Sequence, residues 1–516
     1  MDKATLKKKK VIIVGGGMSG MTAGIYLLDN GFDVEIYEKH SIPGGECTGW
    51  VREGQYIDGC AHWLIGTNPG SCLYPIWEHI GAFENTHLYD NDNLSTYYFA
   101  DGSVASLHSD ITTLEKELIA LSPKDKKQIR SFIRTIEAYT HVVIPTKKPI
   151  EAMNIFELIA MGIKCLPFFG PYLKYRRMSV EEYAKKFKDK RIGDMLVRFM
   201  GGDYNMHSLF YVLQGFCTRD AGVPEGGSLK MAMRVANRFK SLGGVIHVAS
   251  PVKKIVLDKS LVKGIELENG TFVEADYVVS SADAHFTFNK LLPDLKMPKF
   301  FKERFSKPAD YQLRSAFQVS LQANCPMDDF PRMCDFEIPE EIVGKDKITS
   351  FVIRNHAFDK SLSRNHKALL TILLPTYEET YDYLTSLSKE EYASLKKGVG
   401  ERFRKITAER LGIKEEDLVL LDVTSPLTYT HYANAYKGAY MSFLTTKKSK
   451  GLMVGCRVKG VRNLLLSGQW LMPPGGLPVA LFTGKHAAYN ICQLERKRFI
   501  DKEETRVKGA LKTKIA

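Results

Sequence analysis

The sequence predicts an α/β fold: a discontinuous, parallel-stranded Rossmann-type domain interrupted by an inserted α+β domain. Three observations carry this expectation. Residues 11–39 form a strand, glycine turn, helix and second strand; residues 224–285 bring a further helix and strands; residues 461–490 return with a strand, a glycine loop and a helix. Between these blocks the strand–helix rhythm is lost.

Residues 11–14 (VIIV) are apolar and do not alternate, which suits a strand buried on both faces of a parallel sheet. Gly15, Gly17 and Gly20 follow at G-x-G-x-x-G spacing. The first permits a tight turn, the second a close backbone approach to a diphosphate, and the third close packing of the helix on the strand. The helix runs from Met18, with Ser19 in its first turn, to about Asn30, with Gly31 as its stop. Its free N–H groups and positive dipole end suit an anionic diphosphate. Residues 32–37 make the next strand. Glu38 at its end, with Lys39 beside it, can accept hydrogen bonds from ribose hydroxyls. Strand, helix and acidic residue together make this a Rossmann-type site for a dinucleotide containing ADP.

A chain of 516 residues accommodates two or more domains with their own cores. Its net charge of +13 resembles that of a nucleic-acid binder, but the two ends supply eight of those thirteen charges, and basic tails more often meet anionic surfaces than read bases. Nine cysteines without a C-x-x-C pair suggest neither a disulfide framework nor a zinc site, so a reducing cytoplasm is the expected compartment. The apolar run after the basic amino terminus is too short for a signal peptide, and no uninterrupted apolar run is long enough to span a bilayer.

After Glu38, Gly44 and Gly45 offer the second close approach that an extended flavin requires. Residues 39–45 (KHSIPGG) and 56–62 (YIDGCAH) resemble the flavin-contacting segment of the phytoene desaturase, carotenoid isomerase and retinol saturase group of amine-oxidase-like flavoproteins. Glu46 departs from the pattern, many relatives having arginine there. Residues 95–99 and 103–107 read as strands of another layer, and 114–121 and 124–139 as helices. Residues 155–173 are the most apolar stretch, followed by Lys174, Arg176 and Arg177. Two readings stand for them: a core helix with a proline-rich turn, or a segment facing lipid or incoming substrate.

From 224 the nucleotide domain resumes. Ser228 is the expected N-cap of a helix stopped by Gly243, strands cover 245–248 and 252–257, and a hairpin turns at Asn269–Gly270. Residues 275–280 lead back into the sheet. The resemblance implies that this block belongs to an FAD domain, with the backbone of Val252 near the adenine. Mixed strands and helices such as 313–323, 348–353 and 368–374 follow, with a charged helix at 389–411. Gly398 and Gly400 mimic half a glycine fingerprint, but no strand precedes them. Residues 425–432 (SPLTYTHY) and 438–440 (GAY) resemble the segment that closes the substrate cavity in the same group. A buried strand at 464–467 leads to Gly468, then to Gly475–Gly476. Leu477 and Pro478 open a helix there, whose partial positive charge suits a reduced flavin. This matches the group's C-terminal flavin motif.

The expected division is therefore 1–90, 224–285 and 455–495 for FAD, 91–223 and 286–454 for substrate, and 496–516 as a basic tail. The cofactor is FAD, with no second domain for a docked nicotinamide. His62, Trp63 and Tyr429 are the catalytic candidates, with Asp58 and Tyr432 as further cavity residues; for each, packing is the competing role. The sequence carries no metal-ligand cluster, no Ser/His/Asp signature and no base-reading motif. Three activities fit. One is oxidoreduction at a carbon–carbon bond of a long apolar small molecule such as a polyene, isoprenoid or unsaturated fatty acid, with the electron donor or acceptor left open. Another is redox-neutral isomerisation or hydration. The third is lipid binding without flavin, as in Rab GDP-dissociation inhibitors. A peripheral contact with a membrane surface accompanies the first.

Overall fold

Val11, Ile12 and Ile13 are completely buried, as a strand covered on both faces requires. In the computed structural model, which describes residues 8–60, 62–363, 367–450 and 453–503, Lys10–Val14 is the central strand of a five-stranded parallel sheet. The order is Val245–His247, Asp33–Tyr37, Lys10–Val14, Tyr277–Ser280, Leu464–Leu466. Three separated parts of the chain thus build one sheet. The basic residues expected beyond 503 and before 8 lie outside the described residues.

Helix Met18–Asp29 is buried from Met18 to Leu27 because two others close on it. A Cβ on Gly24 would stand 2.4 Å from Phe239 of helix Gly227–Ser241. One on Gly484 of helix Leu477–Leu494 would stand 2.5 Å from the Ser19 carbonyl oxygen. Ser228 is not the N-cap expected from sequence. Gly226, in the left-handed region at φ 82°, precedes the helix, and Ser228 lies buried inside it. Its N–H donates to Asp58 Oδ1 at 3.2 Å, so a distant carboxylate does the capping that a local side chain was expected to do. A three-stranded antiparallel meander, Val252–Asp258, Leu261–Leu267 and Phe272–Glu274, stands beside the sheet.

The remaining chain builds a seven-stranded sheet in the order Leu418–Thr424, Ser315–Ala323, Ala368–Thr376, Asp346–Asn355, Met333–Val343, Asn93–Tyr98, Val104–His108. Period-two alternation gives it two different faces. Phe317, Val319, Phe351, Ile353, Ile372 and Leu374 pack with Val399 and Phe403 of helix Lys389–Leu411. Gln318, Val352, Arg354, Leu373 and Pro375 point the other way and floor a cavity.

The apolar run at 155–173 is not a core helix. It forms Ile155–Lys164 and Leu166–Tyr175, bent by 71°. None of the first helix is buried, and Phe156 is 78% exposed. The reason is position: the second helix borders the cavity through Phe168, Phe169 and Tyr172, and Tyr175 is the one buried residue of the pair. Among the described residues, no single helix is long and apolar enough to cross a membrane.

Candidate active site

The parallel strands end side by side, so Gly15, Ser281 and Gly468 emerge together at their carboxyl edge, where open α/β sheets bind ligands. From there a single cavity of about 1500 Å³ extends under the seven-stranded sheet. Gly15, Gly17, Met18, Ser19, Glu38, Lys39, Gly44, Gly45, Glu46 and Val252 line it. So do Gly468, Gly475, Gly476, Leu477 and Pro478, more than four hundred positions further along the chain. Gly20 does not. A Cβ there would sit 2.2 Å from the Gly15 carbonyl oxygen, so its part is close packing behind the turn.

Gly17 pairs with Gly44 as a parallel bridge, and the Gly44 N–H donates to the Gly16 carbonyl at 2.9 Å. The first two glycine segments are thereby joined, with Gly44 at φ 132° and Gly45 at φ 61°, backbone that side chains rarely adopt. Helices Met18–Asp29 and Leu477–Leu494 both start at this cavity with glycine N-caps, no capping side chain and no acid in the first turn. The Ser19 and Ser281 hydroxyls face it buried and without a partner. Bare helix N-termini and orphaned hydroxyls suit an extended anionic ligand. Each Glu38 oxygen already takes one N–H, from Gly16 at 2.7 Å and His40 at 2.8 Å, which leaves a lone pair on each for a ribose hydroxyl. The Lys39 ammonium is committed elsewhere, donating to the His431 carbonyl and to Asn434 Oδ1, both at 2.7 Å.

Glu46 ties the two ends of this cradle together. Gln469 donates from Nε2 to Glu46 Oε2 at 3.3 Å, and Gln469 Oε1 accepts the Gly476 N–H at 3.1 Å. Burial, then the charge of Asp283, pushes the Glu46 carboxyl up to about 8, so it is neutral at pH 7. Asp283 also faces the cavity and is itself raised to about 6 by burial.

His62, Trp63 and Tyr429 all line the cavity. Trp63 stacks on Phe199 at 5.9 Å and meets Phe216 edge-on at 5.4 Å. Burial, then Arg354 and His356, hold the His62 imidazole well below its ordinary value, so it is neutral. Burial raises the Tyr429 phenol, against a hydrogen bond with Thr424 that lowers it. Asp58 is not a cavity residue. Besides capping Ser228, its carbonyl accepts from Gln318 Nε2 at 3.0 Å. Tyr432 reaches only the rim and is 52% exposed. Sequence reasoning missed Gln469, Arg314 and Arg354. Residues 351–355 alternate between the two sheet faces, and that alternation was the available signal for Arg354.

A Rossmann-type sheet with glycine loops from both ends of the chain on one cavity defines the class as a flavoprotein. The model of the flavin-containing amine oxidoreductase family matches residues 18–492, and the chain belongs to that family. It is an FAD-dependent oxidoreductase. It is 22% identical to a 4,4'-diaponeurosporene oxygenase of Staphylococcus haemolyticus, covering 97% of this chain and 100% of that protein. It is 27% identical to a neurosporene-forming phytoene desaturase of Cereibacter sphaeroides over 55% of this chain and 54% of that one. A putrescine oxidase bound to putrescine shares the fold, with a TM-score of 0.59 at 14% identity, covering 94% of this chain and 99% of the other.

Proposed function

We propose that the protein adds or removes a pair of hydrogens at a carbon–carbon bond of a long, unsaturated, apolar molecule such as a polyene or isoprenoid. One observation carries this reading: a single cavity runs from the Gly17 turn to aromatic walls at Trp63, Phe199 and Tyr172. Its volume of about 1500 Å³ exceeds the roughly 300–1000 Å³ of an ordinary small-molecule pocket. There is room for FAD and a second, elongated ligand. The names of the carotenoid-pathway relatives agree with a polyene.

In this reading Gly15, Gly17, Met18 and Ser19 would hold the diphosphate, Glu38 the ribose, and Val252 the adenine side. Gly44–Gly45 and the loop from Gly468 to Pro478 would hold the flavin. The chemistry FAD supplies when bound is the transfer of a hydride to or from carbon. The chain's own part is positioning and drying. Trp63, Phe199 and Phe216 form an apolar wall that excludes water. The neutral Glu46 carboxyl can hold or release a proton, and neutral His62 can accept one. The test is anaerobic reduction of the FAD-loaded protein followed by polyene, isoprenoid and unsaturated fatty acid candidates. Reoxidation of the flavin by one of them, with a product two mass units heavier, is the expected outcome. A product of unchanged mass would favour isomerisation, and no exchange with any candidate would sink the proposal.

The same reading places the bent pair Ile155–Lys164 and Leu166–Tyr175 on a membrane surface, as the mouth through which substrate arrives. Ile155, Phe156, Ile159, Ile163, Leu166 and Leu173 are exposed, with Lys164, Lys174, Arg176 and Arg177 beside them for anionic headgroups. Losing two inserted side chains at about 1.5–3 kcal/mol each weakens binding steeply. Phe156→Ser with Leu173→Ser is therefore expected to reduce cosedimentation with anionic phospholipid vesicles more than about tenfold. Equal cosedimentation of variant and wild type would remove this surface from the account.

A further inference from the structure

Cys47 and Cys60 have no part in the reading above, yet the fold sets them face to face. Strands Gly49–Arg52 and Gln55–Asp58 form a tight hairpin with Gly49 opposite Asp58. The Gly59 N–H donates to the Thr48 carbonyl at 3.1 Å, so the same register runs one step beyond the strands. It places Cys47 opposite Cys60 at a position without ladder hydrogen bonds, where facing side chains come closest. Such pairs have Cα atoms about 4.5 Å apart, inside the roughly 4.4–6.8 Å that disulfides span. The side chains agree with the register. A hydrogen bond with Cys60 is the first influence on the Cys47 thiol, and both sulfurs neighbour the Tyr56 phenol on the same face.

All nine cysteines are free thiols, and these two line the cavity. They differ in exposure. Cys47 is buried, its thiol donating to the Ser228 carbonyl at 3.3 Å, whereas Cys60 is half-buried. The hydrogen bond with Cys60, then burial, hold the Cys47 thiol well above its ordinary value, so it keeps its proton. A buried, protonated thiol beside a more open one suits a division of labour. The open sulfur meets an oxidant first, and the buried one closes the bond.

We infer that Cys47 and Cys60 are a reversible two-electron site in the cavity wall, closing to a disulfide with a peroxide as the oxidant. The Cys60 sulfur attacks one oxygen of hydrogen peroxide, the O–O bond breaks, and the thiol proton leaves on the other oxygen as water. The Cys47 sulfur then displaces hydroxide from the Cys60 sulfenic acid, and the Cys47 proton joins that hydroxide as a second water. One peroxide thus takes two electrons and two protons from the pair. A dithiol such as dithiothreitol reverses the closure by exchange. The bond would join the neighbour of Glu46 to a residue just before His62, so it bears on both groups that the proposed chemistry uses for protons. The site itself rests on the register and the cavity, not on the substrate proposed above.

The test exposes reduced, FAD-loaded protein to one equivalent of hydrogen peroxide under argon, blocks the remaining thiols with N-ethylmaleimide and maps tryptic peptides. Trypsin cuts after Arg52, between the two cysteines, so their bond holds two peptides together. The linked peptides are expected, with two of the nine thiols lost and both recovered after dithiothreitol. Cys72 shares a tryptic peptide with Cys60. Cys72→Ser should therefore keep the link, and Cys60→Ser should lose it. Cys47→Ser should stop at a Cys60 sulfenic acid, which dimedone labels. Recovery of both Cys47 and Cys60 as maleimide adducts in wild type overturns the inference. So does a wild-type Cys60 sulfenic acid that persists without a link, or a link from Cys47 to Cys72. Should a serine variant fail to fold, fragmentation of the linked wild-type peptides assigns the two cysteines directly.

Discussion

Replacing Gly17 by valine is expected to empty the protein of FAD while leaving its fold intact. Gly17 has φ −71° and ψ 175°, extended backbone open to any residue. A Cβ there would find nothing of the protein nearer than the Gly45 Cα at 4.0 Å. The added side chain therefore projects into the cavity, where the diphosphate would approach. Filling that approach should cost at least about 3 kcal/mol of cofactor binding, more than a hundredfold in Kd, while the melting temperature of the apoprotein stays within about 2 °C of wild type. Gly20→Ala should behave the opposite way. Its Cβ would overlap the Gly15 carbonyl at 2.2 Å, so the strand and helix must separate at a cost of about 1–3 kcal/mol or more. The flavin-to-protein absorbance ratio and the melting of both apoproteins distinguish the two sites. A Gly17→Val protein that purifies with a full complement of FAD would show that this turn is not where the diphosphate sits.

That contrast marks what was legible in the sequence. The strand before Gly15, the glycine spacing and Glu38 announced the turn because a Rossmann unit is local: its strand, turn, helix and acidic residue lie within thirty positions. The same holds for Gly475–Gly476 and the helix it opens. Some strands and helices of the second layer were also visible through their periods, with ends displaced by up to three residues, whereas strands Met333–Val343 and Leu418–Thr424 were not. What could not be read was anything set by a distant partner. Asp58 looked like a cavity residue because it sits in a flavin-like segment, but its carboxylate caps a helix one hundred and seventy positions away. The run at 155–173 had a composition that suited a core helix as well as an exposed segment, and only its place at the edge of the cavity decides between them. Arg314 and Arg354 carry no motif. The cavity face of Arg354 is set by the register of its strand against Ala368–Thr376, which no local pattern announces.

Glu46 gives the largest expected dependence on pH. Its carboxyl has an ordinary value of 4.5 and is raised to about 8 in the folded protein, first by burial and then by Asp283, which ionises earlier. Between those two values the unfolded chain has released the proton and the folded chain has kept it. The folded state thus binds more protons, and stability falls as pH rises, by about 1.4 kcal/mol per pH unit at most. Over the whole interval this gives an upper bound of about 5 kcal/mol. Because the carboxyl faces a cavity that solvent enters in the apoprotein, about 2 kcal/mol is the expected size.

Glu46→Gln keeps the shape and can still accept from Gln469, but it cannot ionise. At pH 5 the two apoproteins should therefore be equally stable, and at pH 9 the variant should be the more stable by about 2 kcal/mol. Contributions from other buried acids such as Asp58 are common to both proteins and cancel in the difference. Urea unfolding across that range measures it directly. A difference that stays constant from pH 5 to pH 9 would mean that Glu46 is already ionised in the folded state. The same sign governs redox behaviour in the loaded protein. With the flavin ring held against Gly45 as proposed, a neutral Glu46 carboxyl would leave negative charge on the reduced ring unopposed, whereas an ionised one would repel it. The flavin of wild type should accordingly become harder to reduce as pH passes about 8, beyond the slope shown by Glu46→Gln.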